Sequence, residues 1–155
     1  MTIPKIFTIG TVFLIASLPL LSCSGKRPSN LGISDSRLAP CPASPNCLSS
    51  DAHDSDHKTS PFLISGDPSE AWAAAREIVA ALPRTRIVNE TPEYLHAECR
   101  SSVFRFVDNL ELHLRPSAGI IAVRSASRLG HSDFGVNKRR IETLRAALIS
   151  RGVAR

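Results

Sequence analysis

The sequence predicts an α+β domain in which a four-stranded antiparallel sheet packs against two helices, in the order α-β-β-β-β-α, preceded by a signal peptide and a flexible linker. Three observations carry that expectation. Two segments repeat apolar residues at helical spacing, and the segments between them alternate at strand spacing. Pro116-Ser117-Ala118-Gly119 is a hairpin loop between the two clearest strands. A helix before and a helix after an antiparallel run can cover one face of the sheet.

The first helix opens at Asp67-Pro68-Ser69-Glu70, with an Asp cap, Pro at the first helical position and Glu three residues after the cap. Ala71, Ala75, Ile78, Val79 and Leu82 then share a face, and Pro83 ends the helix. Arg84 to Asn89 alternates weakly and Tyr94 to Arg100 alternates well, around Glu90-Thr91-Pro92-Glu93, which resembles a hairpin. Phe104 to Arg115 and Ile120 to Arg128 form the other two strands. Pairing Arg115 with Ile120 sets Leu114 against Ile121, Leu112 against Val123, Leu110 against Ser125 and Asp108 against Ser127, with Glu111 across from Arg124 on the other side. The final helix, from about Phe134 to Arg151, aligns Asn137, Ile141, Leu144 and Leu148.

Ahead of the domain, Ile6 to Leu21 is an apolar run that follows Lys5 and ends in Leu20-Leu21-Ser22-Cys23. This is the build of a bacterial lipoprotein signal peptide, residues 1–22, with Cys23 as the acylated residue that anchors the mature chain in the membrane. Two other readings are an uncleaved anchor and an ordinary cut near Ser22 or Ser24. A spanning helix needs about 20 apolar residues, and this run is shorter, with Pro19 near its end. Ser24 after the cysteine points to a lipoprotein facing the periplasm and sorted to the outer membrane. Residues 23–40 then read as a lipidated, aperiodic tether rich in Gly, Pro and Ser, and 41–151 as a single domain with no secondary structure before Gly66.

The chain has 19 Lys and Arg against 14 Asp and Glu, a net charge of +5. Cleavage would remove one cation, Lys5, and no acid. Such a balance favours anionic partners, a small molecule or a lipid head group. Nucleic acid is not expected, because an exported chain is separated from it and Trp72 and Tyr94 are its single Trp and Tyr.

Three polar residues break the core pattern in one region. Asp108 and Ser127 share the parity of Leu110, Leu112 and Val123, and Asn137 interrupts the apolar stripe of the last helix. Arg105, Arg124, Arg128, Lys138, Arg139 and Arg140 lie near them in sequence, and Gly130-His131-Ser132-Asp133-Phe134-Gly135 feeds the helix's amino end, so the region suits an anion. The ligand-binding candidates are Arg105, Arg128, Asn137 and Arg140. Plainer roles stand beside this one: a surface ion pair for Glu111 with Arg124, a solvated helix face for Lys138 and Arg139, an internal ion pair for Asp108, and a helix-to-loop tie for Asn137.

Here the chain resembles a known family, the bacterial and plastid "domain of unknown function 1499" proteins. The resemblance rests on Ser44-Pro45-Asn46-Cys47-Leu48-Ser49-Ser50, on Ser102-Val103-Phe104-Arg105-Phe106-Val107-Asp108-Asn109, and most specifically on Arg124-Ser125-Ala126-Ser127-Arg128-Leu129-Gly130-His131-Ser132-Asp133-Phe134-Gly135-Val136-Asn137-Lys138-Arg139-Arg140. It spans about Cys41 to Leu148. The family usually carries Asp where this chain has Asn109. The resemblance implies an envelope or lumenal protein of unestablished activity.

With Cys23 lipidated, Cys41, Cys47 and Cys99 remain. The apolar parity of Cys99 makes it the buried thiol, which leaves Cys41 and Cys47 as the disulfide. A metal site drawing His53 and His57 to those thiols is not expected, because the spacing matches no zinc pattern. Cys47 as nucleophile lacks a base partner. No cofactor motif is present, neither a Gly-rich phosphate loop nor a Ser nucleophile elbow. The function expected is an envelope binding module for an anionic group. The alternatives are a hydrolase using Asp108 with Ser127 or His131, and a purely structural scaffold.

Overall fold

The computed structural model describes residues 25–155. Its elements run β1 (Ile33–Ser34), β2 (Arg37–Leu38), β3 (Cys47–Ser49), β4 (Phe62–Leu63), α1 (Pro68–Ala81), β5 (Thr85–Glu90), β6 (Tyr94–Arg100), β7 (Val107–Arg115), β8 (Ile120–Ser127) and α2 (Val136–Ser150). The expected signal peptide and the acylation site Cys23 lie outside the described residues. No helix among those described is long and apolar enough to cross a membrane.

The α+β class stands, but the sheet has six strands rather than four, in the order β3-β8-β7-β6-β5, with β4 also on β8. The two additional strands are three and two residues long, too short for alternation to register in sequence. They lie along the outer edge of β8, pairing Cys47 with Ala126 and Phe62 with Ile121, and so occupy backbone groups an edge strand would expose. Secondary structure therefore starts well before Gly66. The β7–β8 register is the one the hairpin loop dictates, from Arg115 against Ile120 to Asp108 against Ser127. β7 starts at Val107, later than expected, because Ser101 to Phe106 forms an exposed loop closed by the Ser101 N–H donating to the Phe106 carbonyl at 2.9 Å.

Both helices form for the reasons their sequences give. The Asp67 carboxylate accepts from the Ser69 N–H at 2.6 Å, and Ala71, Ala75, Ile78 and Val79 are buried. In α2 the buried residues are Asn137, Ile141, Leu144 and Leu148, the expected stripe. Against the helices the sheet presents Leu95, Ala97, Leu110, Leu112, Leu114, Ile121 and Val123, all in one apolar core.

The opposite face of the sheet is buried too, under the segment expected to be a free tether. Leu38 and Ala39 are buried, Leu38 packs with Tyr94 and Ala122, and the Gly32 N–H donates to Glu111 Oε1 at 2.9 Å. β1 and β2 form a small antiparallel hairpin in this strap. Periodicity does not report such a contact, since a Gly- and Pro-rich segment can lie flat on polar side chains and bond to them through its backbone.

Candidate functional site

The residues expected to converge are divided by the sheet. On the helix side, α2 brings Arg140 to Asp108, with Nη2 at 2.7 Å from Oδ2. Arg140 Nη1 also donates to Ser125 Oγ at 2.9 Å and to Asn137 Oδ1 at 2.6 Å, while Ser125 Oγ donates to Asn137 Oδ1 at 2.6 Å. Asn137 Nδ2 donates to the Asn46 carbonyl at 2.9 Å and to Ser127 Oγ at 3.1 Å. Asp108 and Asn137 thus complete an internal polar network that pins α2 and the loop around Asn46 to β8. Among the described residues, no hydrogen bond joins Asp108 to Ser127 or to His131, which is exposed on the loop after β8.

The amino end of α2 is occupied from within. Asp133 accepts from the Gly135 N–H at 3.0 Å and from the Asn137 N–H at 2.7 Å, so a carboxylate of the chain stands where an external anion was expected.

On the strap side, Arg128 donates from Nη2 to Glu98 Oε1 at 2.6 Å and to Asn109 Oδ1 at 2.7 Å. Arg27 of the strap adds a bond to the same Glu98 oxygen at 3.0 Å. Burial pushes the Glu98 carboxyl up, but the bonds from Arg128 and Arg27 outweigh it and hold the pKa at about 2. Next to this group, Glu111 accepts from Arg124 Nη1 at 2.7 Å and from the Tyr94 hydroxyl at 2.8 Å. The side chains of Arg124 and Glu111 are 4% and 0% exposed, so the pair expected on the surface is an interior one. Arg124 Nε has no partner among the described residues.

Arg105 is exposed, and its surroundings were not anticipated. It lines a groove of about 300 Å³ with Arg84, Thr85, Arg86, Arg100, Ser101 and Ser102. The groove adjoins a hollow of about 470 Å³ whose lining includes Cys99, Asp108 and Arg140. Among the described residues no carboxylate is within ion-pairing distance of Arg84, Arg86 or Arg105, and Arg100 reaches only Glu98, at 3.5 Å. Arg84 and Arg105 both adopt left-handed backbone, with φ of 53° and 55°, which costs a residue with a Cβ on the order of 1 kcal/mol. Sequence reasoning missed Arg84, Arg86 and Arg100 because they belong to the weakly alternating β5 and the end of β6. Only the β5–β6 pairing brings them beside the loop that carries Arg105. The pairing of Arg86 with Glu98 in the ladder places their backbones opposite without joining their side chains.

The Cys41–Cys47 disulfide forms as expected, and Cys99 is free and buried. Burial pushes the Cys99 thiol up. Among the described residues no group of three His, Cys, Asp or Glu side chains is placed to hold a metal ion.

No curated protein matches the chain closely enough to be named as a relative. The model of one protein family does match, over residues 37–148, which takes in β2, both helices' buried faces, the whole sheet and the arginine groove. The chain therefore belongs to the family described as "Protein of unknown function (DUF1499)".

Proposed function

We propose that this protein is an envelope module, anchored through an acylated Cys23, that binds an anionic group in the groove of Arg84, Arg86, Arg100 and Arg105. One observation carries the proposal: four arginines line a single groove, and among the described residues one carboxylate contact, Arg100 with Glu98 at 3.5 Å, is all that offsets them. Elsewhere in the described chain the buried arginines are neutralised, Arg124 by Glu111, Arg128 by Glu98 and Arg140 by Asp108. Of the four residues expected to bind ligand, Arg105 keeps that role. Arg140 borders the adjoining hollow, whereas Arg128 and Asn137 act as supports.

The chemistry suits a phosphate or a carboxylate. Guanidinium forks donate two parallel bonds to either group, and the Ser101 and Ser102 hydroxyls can add further donors. Anchoring at an outer membrane facing the periplasm would set this groove among phospholipid head groups and anionic envelope polymers.

Titration with glycerol 3-phosphate, followed by amide shifts of Ser101 and Ser102, tests the groove. The wild type should show saturable shifts. Replacing Arg84 and Arg105 together with Asn, which tolerates left-handed backbone, should weaken binding by about tenfold or more and leave the melting temperature nearly unchanged. Equal binding by the double variant, or shifts confined to other residues, would remove the groove from consideration.

A further inference from the structure

The loop that carries Arg105 and the segment from Leu129 to Val136 hold most of the large exposed apolar side chains among the described residues. Val103 and Phe104 are 75% and 69% exposed and Phe134 is 88% exposed, with Phe106, Leu129 and Val136 also open to solvent. The rings of Phe104 and Phe106 are 5.7 Å apart, so the aromatic side chains of the β6–β7 loop form one exposed pair. All of these residues lie at one end of the sheet. The β6–β7 loop leaves after Arg100 and returns at Val107, beside the end of β8 at Ser127, and the Arg128 N–H donates to the Val107 carbonyl at 3.1 Å. Ser102 and Val136 line the same hollow, which places the β6–β7 loop beside the start of α2.

Cations share this end. Arg84, Arg86, Arg100 and Arg105 form the groove, and Lys138 and Arg139 are exposed on the first turn of α2. The acids nearby are already engaged: Asp108 with Arg140, Glu98 with Arg128, and Asp133 with the amino end of α2. Aromatic and aliphatic side chains ringed by unneutralised cations match the boundary of an anionic bilayer, where apolar groups enter the acyl region and arginines meet phosphates.

The strap delivers the anchor to the same place. Gly25 runs so close to the β8–α2 loop that a Cβ there would fall 2.9 Å from Leu129 Cγ and 3.0 Å from Arg128 Cβ. Cys23 precedes Gly25 by two residues, a reach of at most about 7 Å for an extended chain. Acyl chains on Cys23 would then start within that reach of Gly25, on the side of the domain where Leu129 is exposed.

We infer that this end of the domain is a membrane-docking face: Phe104 and Phe134 insert into an anionic phospholipid surface, and the groove arginines bind its head-group phosphates. The head-group part rests on the groove proposed above, and the insertion part does not. The domain then sits flush on the bilayer, and its other end, where α2 finishes at Ser150, points away.

The test uses the full-length protein purified from membranes and reconstituted into vesicles of phosphatidylethanolamine and phosphatidylglycerol. Phe104→Trp, Phe134→Trp and, at the far end, Ile149→Trp each add one exposed indole to the constant signal of buried Trp72. The added emission at positions 104 and 134 should shift to the blue and be quenched by brominated lipid about twofold or more above that at position 149. Quenching at 104 and 134 no greater than at 149 would overturn the docking face. Protection of the two sites in whole envelopes but not in vesicles would overturn it too, in favour of a protein partner. The groove has its own readout. Phosphate-dependent shifts at Ser101 and Ser102 without indole quenching would refute docking and leave the groove intact. Quenching that survives in the Arg84→Asn, Arg105→Asn variant would retain insertion and refute the head-group contact.

Discussion

The two faces of the central sheet are both buried, by opposite means. The helix face is closed by apolar side chains of α1 and α2 packing on Leu95, Leu110, Leu112 and Val123, where dispersion and the hydrophobic effect supply the stability. The strap face is closed by residues 25–40 over His96, Asn109, Glu111 and Arg124, which are buried, and Glu98 and Arg128, which are half-buried, a row of polar groups that must neutralise one another. The difference teaches that burial on the two sides has different sensitivities. Removing a methylene matters most on the helix face, where Asp108 and Arg140 form an ion pair, and removing a charge matters most on the strap face, where two acids hold buried arginines.

The largest effect expected is from Glu111→Ala, which leaves Arg124 buried without its partner and orphans the Tyr94 hydroxyl and the Gly32 N–H. It should cost about 4 kcal/mol of unfolding free energy in urea titration. Leu112→Ala on the helix face should cost somewhat less, about 3 kcal/mol, by opening a cavity in the core. A reversal of that order would mean that water enters beneath the strap and solvates Arg124.

Acid should separate the faces further. The folded Glu98 carboxyl is held at about 2 against an ordinary 4.5, so its stabilising contribution is complete above pH 4.5 and is lost as pH falls toward 2. His96 is shifted the other way for its charge type: burial keeps it neutral and lowers its pKa from 6.5, so protonation below that value also works against the fold. Both terms weaken the strap face on acidification and neither involves the helix face. Glu98→Gln should flatten the fall in melting temperature between pH 5 and pH 3, removing about 2 kcal/mol of pH-dependent stability. An unchanged pH profile would show that the Arg27 and Arg128 contacts contribute nothing in solution.

Much of the helix face was legible in the chain. One hairpin loop, Pro116 to Gly119, set eight cross-strand pairs correctly, because side chains alternate strictly along paired strands. The α2 stripe of Asn137, Ile141, Leu144 and Leu148 was legible as well, since a helix repeats every 3.6 residues whatever it packs on. The site was less so. Arg105 was singled out for its neighbours in sequence, but its neighbours in space are Arg84, Arg86 and Arg100, contributed by strands whose alternation is weak. Arg128 and Arg140 are close in sequence, yet Arg128, just past β8, and Arg140, on α2, lie on opposite sides of the sheet, each beside its own acid.

By itself the sequence determined the periodic elements, the β7–β8 register, the disulfide between Cys41 and Cys47 and the burial of Cys99. Those depend on local patterns or on parity within one strand. Only the tertiary structure decided that residues 25–40 lie across a polar face, that Glu111 and Arg124 are interior, and which arginines keep their charge unopposed. Those outcomes depend on which side chains meet across many residues of chain, and charge and polarity carry no period from which such meetings can be read.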